Sequence, residues 1–183
     1  MRLEEWIDGK FEESETDYKI AGLNILYKKE ESYLKKGIEL LCDKVKPKSV
    51  LEFGFGKGWT ASKFQEYGID RHVILEPNKD NYQMALDWKK NYNTDIEILN
   101  MFSWDFKTDE RFDLVYDDRQ EVISETKHEV HMDKILIKGQ WYAGWSMPCD
   151  DVKFSDYPIY FNMNNQLYAQ ALKKFREYLP WQR

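Results

Sequence analysis

SVLEFGFGKGWTASKF, running from Ser49 to Phe64, sets three glycines at alternate positions between a short apolar run and a stretch that reads as helix. The run SVLEF reads as a buried strand. Gly54, Gly56 and Gly58 then form a turn that a ligand can approach closely, because glycine has no Cβ and accepts positive φ. A phosphate, a dinucleotide and a nucleoside all suit such a turn. A Walker phosphate loop needs Lys-Ser/Thr after its last glycine, and here Trp59-Thr60 follows Gly58. A dinucleotide fingerprint on Gly54 and Gly56 places Trp59 where a third glycine should let helix and strand pack closely. The pattern that remains is acid-x-Gly-x-Gly-x-Gly, with Glu52 just ahead of the turn.

Working outward, Leu34, Ile38, Leu41 and Cys42 fall at helical spacing within residues 31–45, and KPK ends that helix. After the glycines, Trp59–Tyr67 reads as helix and Arg71–Glu76 as a second strand. NKDNYQMALDWKKN is a second helix after the turn, Asp95–Leu99 a third strand and Phe112–Tyr116 a fourth. VISETKHEVHMDKI reads as helix and GQWYAGW as a fifth strand. YPIYF is an edge strand, since Pro158 would break an inner ladder, and a last helix covers Asn164–Leu179. Residues 1–19 read as loop that folds over something. Strands alternating with helices predict an α/β fold: a doubly wound, mostly parallel sheet covered on both faces. Ligands of such sheets bind beyond the carboxyl ends of the strands at the topological switch point, where the glycine turn falls. Glu76 ends the second strand, and a carboxylate there can accept from both hydroxyls of a ribose. Strand, turn, helix, strand and acid in this order look like the nucleoside site of a class I S-adenosylmethionine-dependent methyltransferase.

The bulk properties narrow the classes. The length of 183 residues suits one domain, 1–183. A net charge of -6, with no run of five or six Lys/Arg, argues against a nucleic-acid partner. No apolar run approaches the ~20 residues of a membrane span, and the acidic N-terminus is wrong for a signal peptide. The expectation is a soluble, cytoplasmic protein. Cys42 and Cys149 match no disulfide framework or zinc spacing and read as reduced thiols. His128 and His131 stand three apart on a helix, lack a third ligand, and read as a polar face; no metal is expected. Trp88, Trp104 and Tyr82 read as core, whereas Trp6 has no periodic pattern to bury it.

The stretch VLEFGFGKGWTASKFQEYGIDRHVILEPNKDNYQMALDW is similar to guanidinoacetate N-methyltransferase and its arginine-methylating relatives. YKIAGLNILYKKEESY upstream, with Ile20, Gly22, Glu30 and Tyr33 in register, resembles the same family, as do FDLVYDD and Glu125 to His128 downstream. The resemblance covers roughly Lys19 to Met132. It implies a Rossmann-like methyltransferase fold that uses S-adenosylmethionine and releases S-adenosylhomocysteine. By the same resemblance Phe55, Gly56, Lys57, Gly58, Trp59 and Thr60 line the methionine end of the cofactor. Glu76 takes the ribose with Pro77 and Asn78 beside it, and Met101, Phe102 and Ser103 meet the adenine. Leu26 and Leu34 stand at cofactor-contact positions where the family has methionine. Trp6 lies within a residue or two of a tryptophan that closes over the active site, so residues 1–19 become a cover. Glu30 and Asp117 match the acids that hold the guanidino group, and Asp117 also borders the cofactor.

Two departures are visible. The family continues its strand-four acid as Asp-Thr-Tyr, and this chain reads Asp117-Asp118-Arg119. The segment after the fifth strand is shorter by tens of residues, so the family's Thr-Ser contact to a substrate carboxylate has no clear counterpart. That shortened C-terminal part would leave a sheet edge for another chain to cover, a homodimer among the options. Asp118 itself reads as a solvated acid at a strand end. The expected reaction is methyl transfer to a guanidino or amino nitrogen of a small molecule. The rivals are another acceptor (a carboxylate, an oxygen or a protein side chain) and an inactive nucleoside-binding partner subunit.

Overall fold

The computed structural model describes residues 3–118, 141–144 and 160–162. A short helix α1 (Leu3–Ile7) leads into strands β1 (Phe11–Glu13), β2 (Asp17–Ile20) and β3 (Leu23–Tyr27). A 3-10 turn at Lys28–Glu30 enters helix α2 (Glu31–Val45). There follow β4 (Ser49–Phe53), α3 (Trp59–Tyr67), β5 (Arg71–Leu75), α4 (Lys79–Lys89), β6 (Asp95–Leu99) and β7 (Leu114–Asp117). Strands β8 (Trp141–Gly144) and β9 (Tyr160–Asn162) complete the described elements.

Six of these strands form one sheet in the order β6-β5-β4-β7-β8-β9, and every pairing in it is parallel. The chain moves outward from β4 to β6 and then returns to the other side of β4 as β7. That reversal makes the gap between the carboxyl ends of β4 and β7 the switch point. The expected Rossmann-like α/β sheet is therefore present, and its edge strand β9 extends the parallel ladder from β8. The helices expected over 122–135 and 164–179 lie outside the described residues, as do His128, His131 and Cys149.

Side chains along each strand alternate between two packed layers. On one face Val50, Leu114, Tyr116 and Ala143 meet Ile38, Leu41 and Cys42 of α2 and Phe64 of α3. Further along that face Ile74, Ile96 and Ile98 meet Ala61 and Ala85. On the other face Leu51, Phe53, Val73, Leu75, Val115 and Tyr142 form a second layer with Phe112, joined by Met101 and Phe106. Trp88 and Tyr82 border the helix-side layer as expected, but Trp104 instead stacks on Phe102, with ring centroids 4.1 Å apart. Cys42 is buried, and burial pushes its thiol up to about 12, which keeps it protonated and unreactive. Among the described residues no helix is long and apolar enough to cross a membrane, and no cluster of side chains is arranged to hold a metal.

Of the segment 1–19 that composition reads as loop, the described residues 3–19 are not loop. They form α1 and the first two strands of an antiparallel sheet ordered β1-β2-β3. The β2–β3 hairpin closes through Ala21 and Gly22, both at positive φ (49° and 79°), the geometry that matches strand twist in a two-residue loop. Trp6, Tyr18, Ile20 and Ile25 form its core against Trp59 and Phe102, so the small sheet rests on the rim of the large one.

A buried polar chain underlies the glycine turn. Thr60 Oγ1 donates to Glu52 Oε1, and the other carboxylate oxygen lies 2.9 Å from His72 Nε2. Gln65 Nε2 lies 3.1 Å from His72 Nδ1, and Thr94 Oγ1 donates to Gln65 Oε1. With Gln65 donating to Nδ1, the imidazole proton sits on Nε2 and points at Glu52. A near-isosteric Thr60→Val leaves the buried carboxylate short of a donor. We expect a loss of about 1.5–3 kcal/mol in urea unfolding; a change below about 0.5 kcal/mol would show that Thr60 does not matter to the network.

Candidate functional site

The ladder carries past the end of β4, with Gly54 N donating to Leu75 O at 2.8 Å. Gly54 sits at φ +87°, and a Cβ there would lie 3.4 Å from the carbonyl oxygen of Asp118, across the switch point. Gly58, at φ +71°, leaves no room at all, since a Cβ would stand 2.6 Å from the ring of Phe55. Leu26 of β3 closes over Gly56 from the small sheet. The turn is thus bare backbone, framed by Leu26 on one side and Asp118 on the other. Leu34 is buried in α2.

Three donors converge on Glu76, which follows β5 and is buried. Phe55 N and Asn81 Nδ2 donate to Oε2 at 3.0 and 2.9 Å, and Asn78 N donates to Oε1 at 2.9 Å. The backbone N–H of Gly56 adds a weaker electrostatic pull on the same carboxyl. Burial raises the carboxyl above its ordinary range, and these hydrogen bonds pull it part of the way back. Three donors use most of the accepting capacity of a carboxylate. Glu76 here clasps the glycine turn, and a ribose at this point would exchange with one of those donors. Asn81 Oδ1, beside it, is buried with no partner among the described residues. Asn100 Nδ2 secures the next backbone, donating to the carbonyls of Glu76 and Pro77.

The N-terminal segment is strapped to the start of α4. Asn78 Oδ1 caps the helix by accepting from Asn81 N at 2.8 Å. Its Nδ2 donates to Trp6 O and Gly9 O, both at 2.7 Å. Asp80 accepts from Phe11 N at 2.9 Å, and Lys79 pairs with Asp8. Lys57 of the glycine turn reaches up between Glu13 and the rings of Phe11 and Tyr18. Trp59 meets Tyr18 edge to face. Trp6, read from sequence as unburied, is a core residue of the small sheet.

At the far side of the turn, acids gather. Asp117 ends β7, is buried, and accepts from Tyr142 OH through Oδ2 at 2.6 Å. Glu30 is half-buried, with Oε2 accepting from Tyr27 N at 3.0 Å, and burial raises its carboxyl. Asp118 N donates to Phe53 O at 3.2 Å, so pairing runs one residue past β7. Burial raises the Asp118 carboxyl well above the usual range, and Glu52, Asp117 and Glu30 add to the rise.

Several sequence expectations shift in role. Glu52 lies wholly inside, bound to Thr60 and His72, and fastens the turn from below instead of facing a ligand. Thr60 is committed to Glu52, while Lys57 and Trp59 face the small sheet. Phe55 packs inward on Trp88, with ring centroids 5.4 Å apart. Met101 joins the far layer of the sheet, Ser103 is buried, and Phe102 meets the small sheet. Asp118 is the acid that sequence reading passed over; the visible signal was a carboxylate where the similar family has threonine.

The Asn78 strap separates into two halves. Asn78→Asp keeps the helix-capping oxygen and removes the donor to Trp6 and Gly9, whereas Asn78→Ala removes both. We expect Asn78→Asp to speed protease cleavage within residues 8–16 at least several-fold, with the midpoint of global unfolding little changed. Asn78→Ala should lower that midpoint as well, by the ~1 kcal/mol of a lost cap. Equal protease resistance in all three proteins would mean that the strap does not hold the segment.

The sequence pattern of guanidinoacetate N-methyltransferase matches residues 3–143 of this chain. Among solved structures, the N-methyltransferase NodS from Bradyrhizobium japonicum WM9, in complex with S-adenosyl-L-homocysteine, is 20% identical. That match covers 48% of this chain and 43% of that one, with a TM-score of 0.43. An S-adenosylhomocysteine-bound methyltransferase from Podospora anserina is 18% identical over 61% of this chain and 49% of its own, with a TM-score of 0.47. The chain spans less than half the length of either. The family match runs from α1 through the small sheet and the glycine turn into β8, and by it the chain belongs to the guanidinoacetate N-methyltransferase family of class I S-adenosylmethionine-dependent methyltransferases.

Proposed function

We propose that this chain transfers a methyl group from S-adenosylmethionine to a nitrogen of a small molecule, and that the nitrogen belongs to a guanidino group. The observation that carries the reading is a bare glycine turn beside the end of β7, where Asp117 and Asp118 stand, beneath an N-terminal cover, with Glu30 within electrostatic reach of Asp118. The turn and the acid after β5 suit a nucleoside. Glycine backbone lets it approach, Glu76 can trade a protein donor for a ribose hydroxyl, and the orphaned Asn81 Oδ1 offers a further acceptor.

When bound, the sulfonium supplies an electrophilic methyl group. A guanidinium is a poor nucleophile, and removing its proton at pH 7 before reaction would cost about 8 kcal/mol at a pKa of roughly 13. The carboxylates lower that barrier by orientation. They take the planar fork of N–H donors in charge-assisted hydrogen bonds and turn one nitrogen toward the methyl. As the methyl passed to nitrogen, leaving its bonding pair on sulfur, the nitrogen would become acidic and Asp117 would take its proton. Tyr142 holds the Asp117 carboxylate at one oxygen, so the accepting group does not swing away. The small sheet, with Trp6, Trp59 and Phe102 at its base, would exclude water from the transfer.

Asp117→Asn keeps the shape of the acid and loses its proton-accepting strength. With a guanidino acceptor and labelled cofactor we expect turnover to fall about 10- to 150-fold. Affinity for S-adenosylhomocysteine by calorimetry should stay within about 2-fold. Full turnover in Asp117→Asn, or label passing only to carboxylates or hydroxyls, would overturn the guanidino reading.

A further inference from the structure

Asp117 and Asp118 are neighbours in sequence, but the sheet sends them to opposite faces. Along the extended run from Leu114, side chains alternate. Leu114 and Tyr116 lie in the layer of α2 and α3, while Val115 lies in the layer of Tyr142. Asp117 follows Val115 to the Tyr142 side and is held there. By the same alternation Asp118 takes the face of Tyr116, the face on which α2 packs, and Glu30 immediately precedes α2. The electrostatic neighbours of Asp118 agree with this placement, being Glu52 on β4, Asp117 beside it and Glu30 from the 3-10 turn.

The hydroxyl of Tyr116 gives an independent observation. Tyr116 is fully buried, and its oxygen has no hydrogen-bond partner among the described residues. An unpaired buried hydroxyl costs free energy, so a native protein holds one where something else completes it. Asp118 is the charged group that acts on it most, ahead of Glu52, Asp117 and Tyr33. A crowd of acids with an unsatisfied hydroxyl among them is a site built for a cation with N–H donors. A carboxylate placed there would meet Glu30, Asp117 and Asp118 together.

We propose that Asp118 is a specificity-determining residue of the acceptor site, gripping the cationic head of the acceptor together with Glu30, and that the acceptor is a guanidino compound without a carboxylate next to that head. This deepens the function proposed above and rests on it. Asp117 keeps the reacting nitrogen on one face of the switch point while Asp118 and Glu30 hold the rest of the fork from the other. In the free protein the crowded Asp118 carboxyl keeps its proton above the ordinary carboxylate range. Binding a cation favours the ionised form and expels that proton. Affinity for the cation therefore rises with pH through the titration of Asp118 and levels off above it.

The test uses the full chain saturated with S-adenosylhomocysteine and titrated by calorimetry with ethylguanidine, guanidinoacetate and 4-aminobutylguanidine. Repeating the titrations in buffers of different ionisation enthalpy reads the protons released. We expect ethylguanidine and 4-aminobutylguanidine to bind at least about 10-fold more tightly than guanidinoacetate, with net proton release. Asp118→Asn and Asp118→Thr should weaken ethylguanidine about 10-fold or more, narrow the gap to guanidinoacetate and abolish part of the release. Both variants should melt at or above the parent temperature, since each removes a carboxyl that ionises at a cost inside the fold; this separates lost recognition from lost folding. Guanidino compounds that bind the parent and Asp118→Asn equally would overturn the role of Asp118 alone. A parent that prefers guanidinoacetate would overturn the acceptor class. If S-adenosylhomocysteine binds and no guanidino compound does, the function on which this rests falls with it.

Discussion

The carboxylate of Glu76 ties together the parts that make the site. It is the point where the end of β5, the backbone of the glycine turn and the start of α4 share hydrogen bonds. A turn with three glycines has little stiffness of its own, because each glycine loses more conformational freedom on ordering than any other residue. The turn keeps its shape because Glu76 takes the N–H of Phe55 from one side, and the Glu52–Thr60 pair clamps its far end from below. A ligand that engages Glu76 therefore engages the turn as well, and binding and ordering become one event.

The same node reaches the N-terminal sheet. Asn78, two residues beyond Glu76, donates its N–H to Glu76, accepts from Asn81 N of α4 through its side-chain oxygen, and donates its amide hydrogens to the carbonyls of Trp6 and Gly9. One side chain thereby joins the acid at the end of β5 to the cover above it. Lys57 and Trp59 add contacts from the glycine turn to Tyr18. Closing over the turn is the work of a small folded sheet with its own aromatic core, so movement of the cover would be that of a unit hinged near α1 and Asn78.

Much of the large sheet could be read from sequence because its strands carry their own signals. SVLEF, the helix Trp59–Tyr67 and the strand Asp95–Leu99 fall where apolar runs and glycine punctuation place them. The fourth strand slipped, ending at Asp117 instead of Tyr116, because a buried acid at a strand end does not look like strand. The small sheet was missed for a different reason. Its strands are short, its outward positions are charged, and the hairpin turns at Ala21-Gly22 instead of the Asn-Gly or Asp-Gly that announce such loops. At the site, the glycine turn and Glu76 were legible as positions, but their partners were not. Nothing in the one-dimensional pattern says that Glu52 will be consumed by Thr60 and His72, since that pairing joins residues of β4, α3 and β5.

Placing two acids in succession at the end of a central strand has a geometric consequence that one acid does not. Pleating divides them between the faces of the sheet, so Asp117 and Asp118 address a ligand at the switch point from two sides. Asp117 is held at one oxygen by the hydroxyl of Tyr142, whereas Asp118 lies within electrostatic reach of Glu52, Glu30 and the orphaned hydroxyl of Tyr116. In the proposed function the first acid would take a proton and the second would receive a cation. A chain with threonine in place of Asp118 would have the first capability without the second. The distinction between general base and cation receptor then lies in which face of β7 a carboxylate occupies.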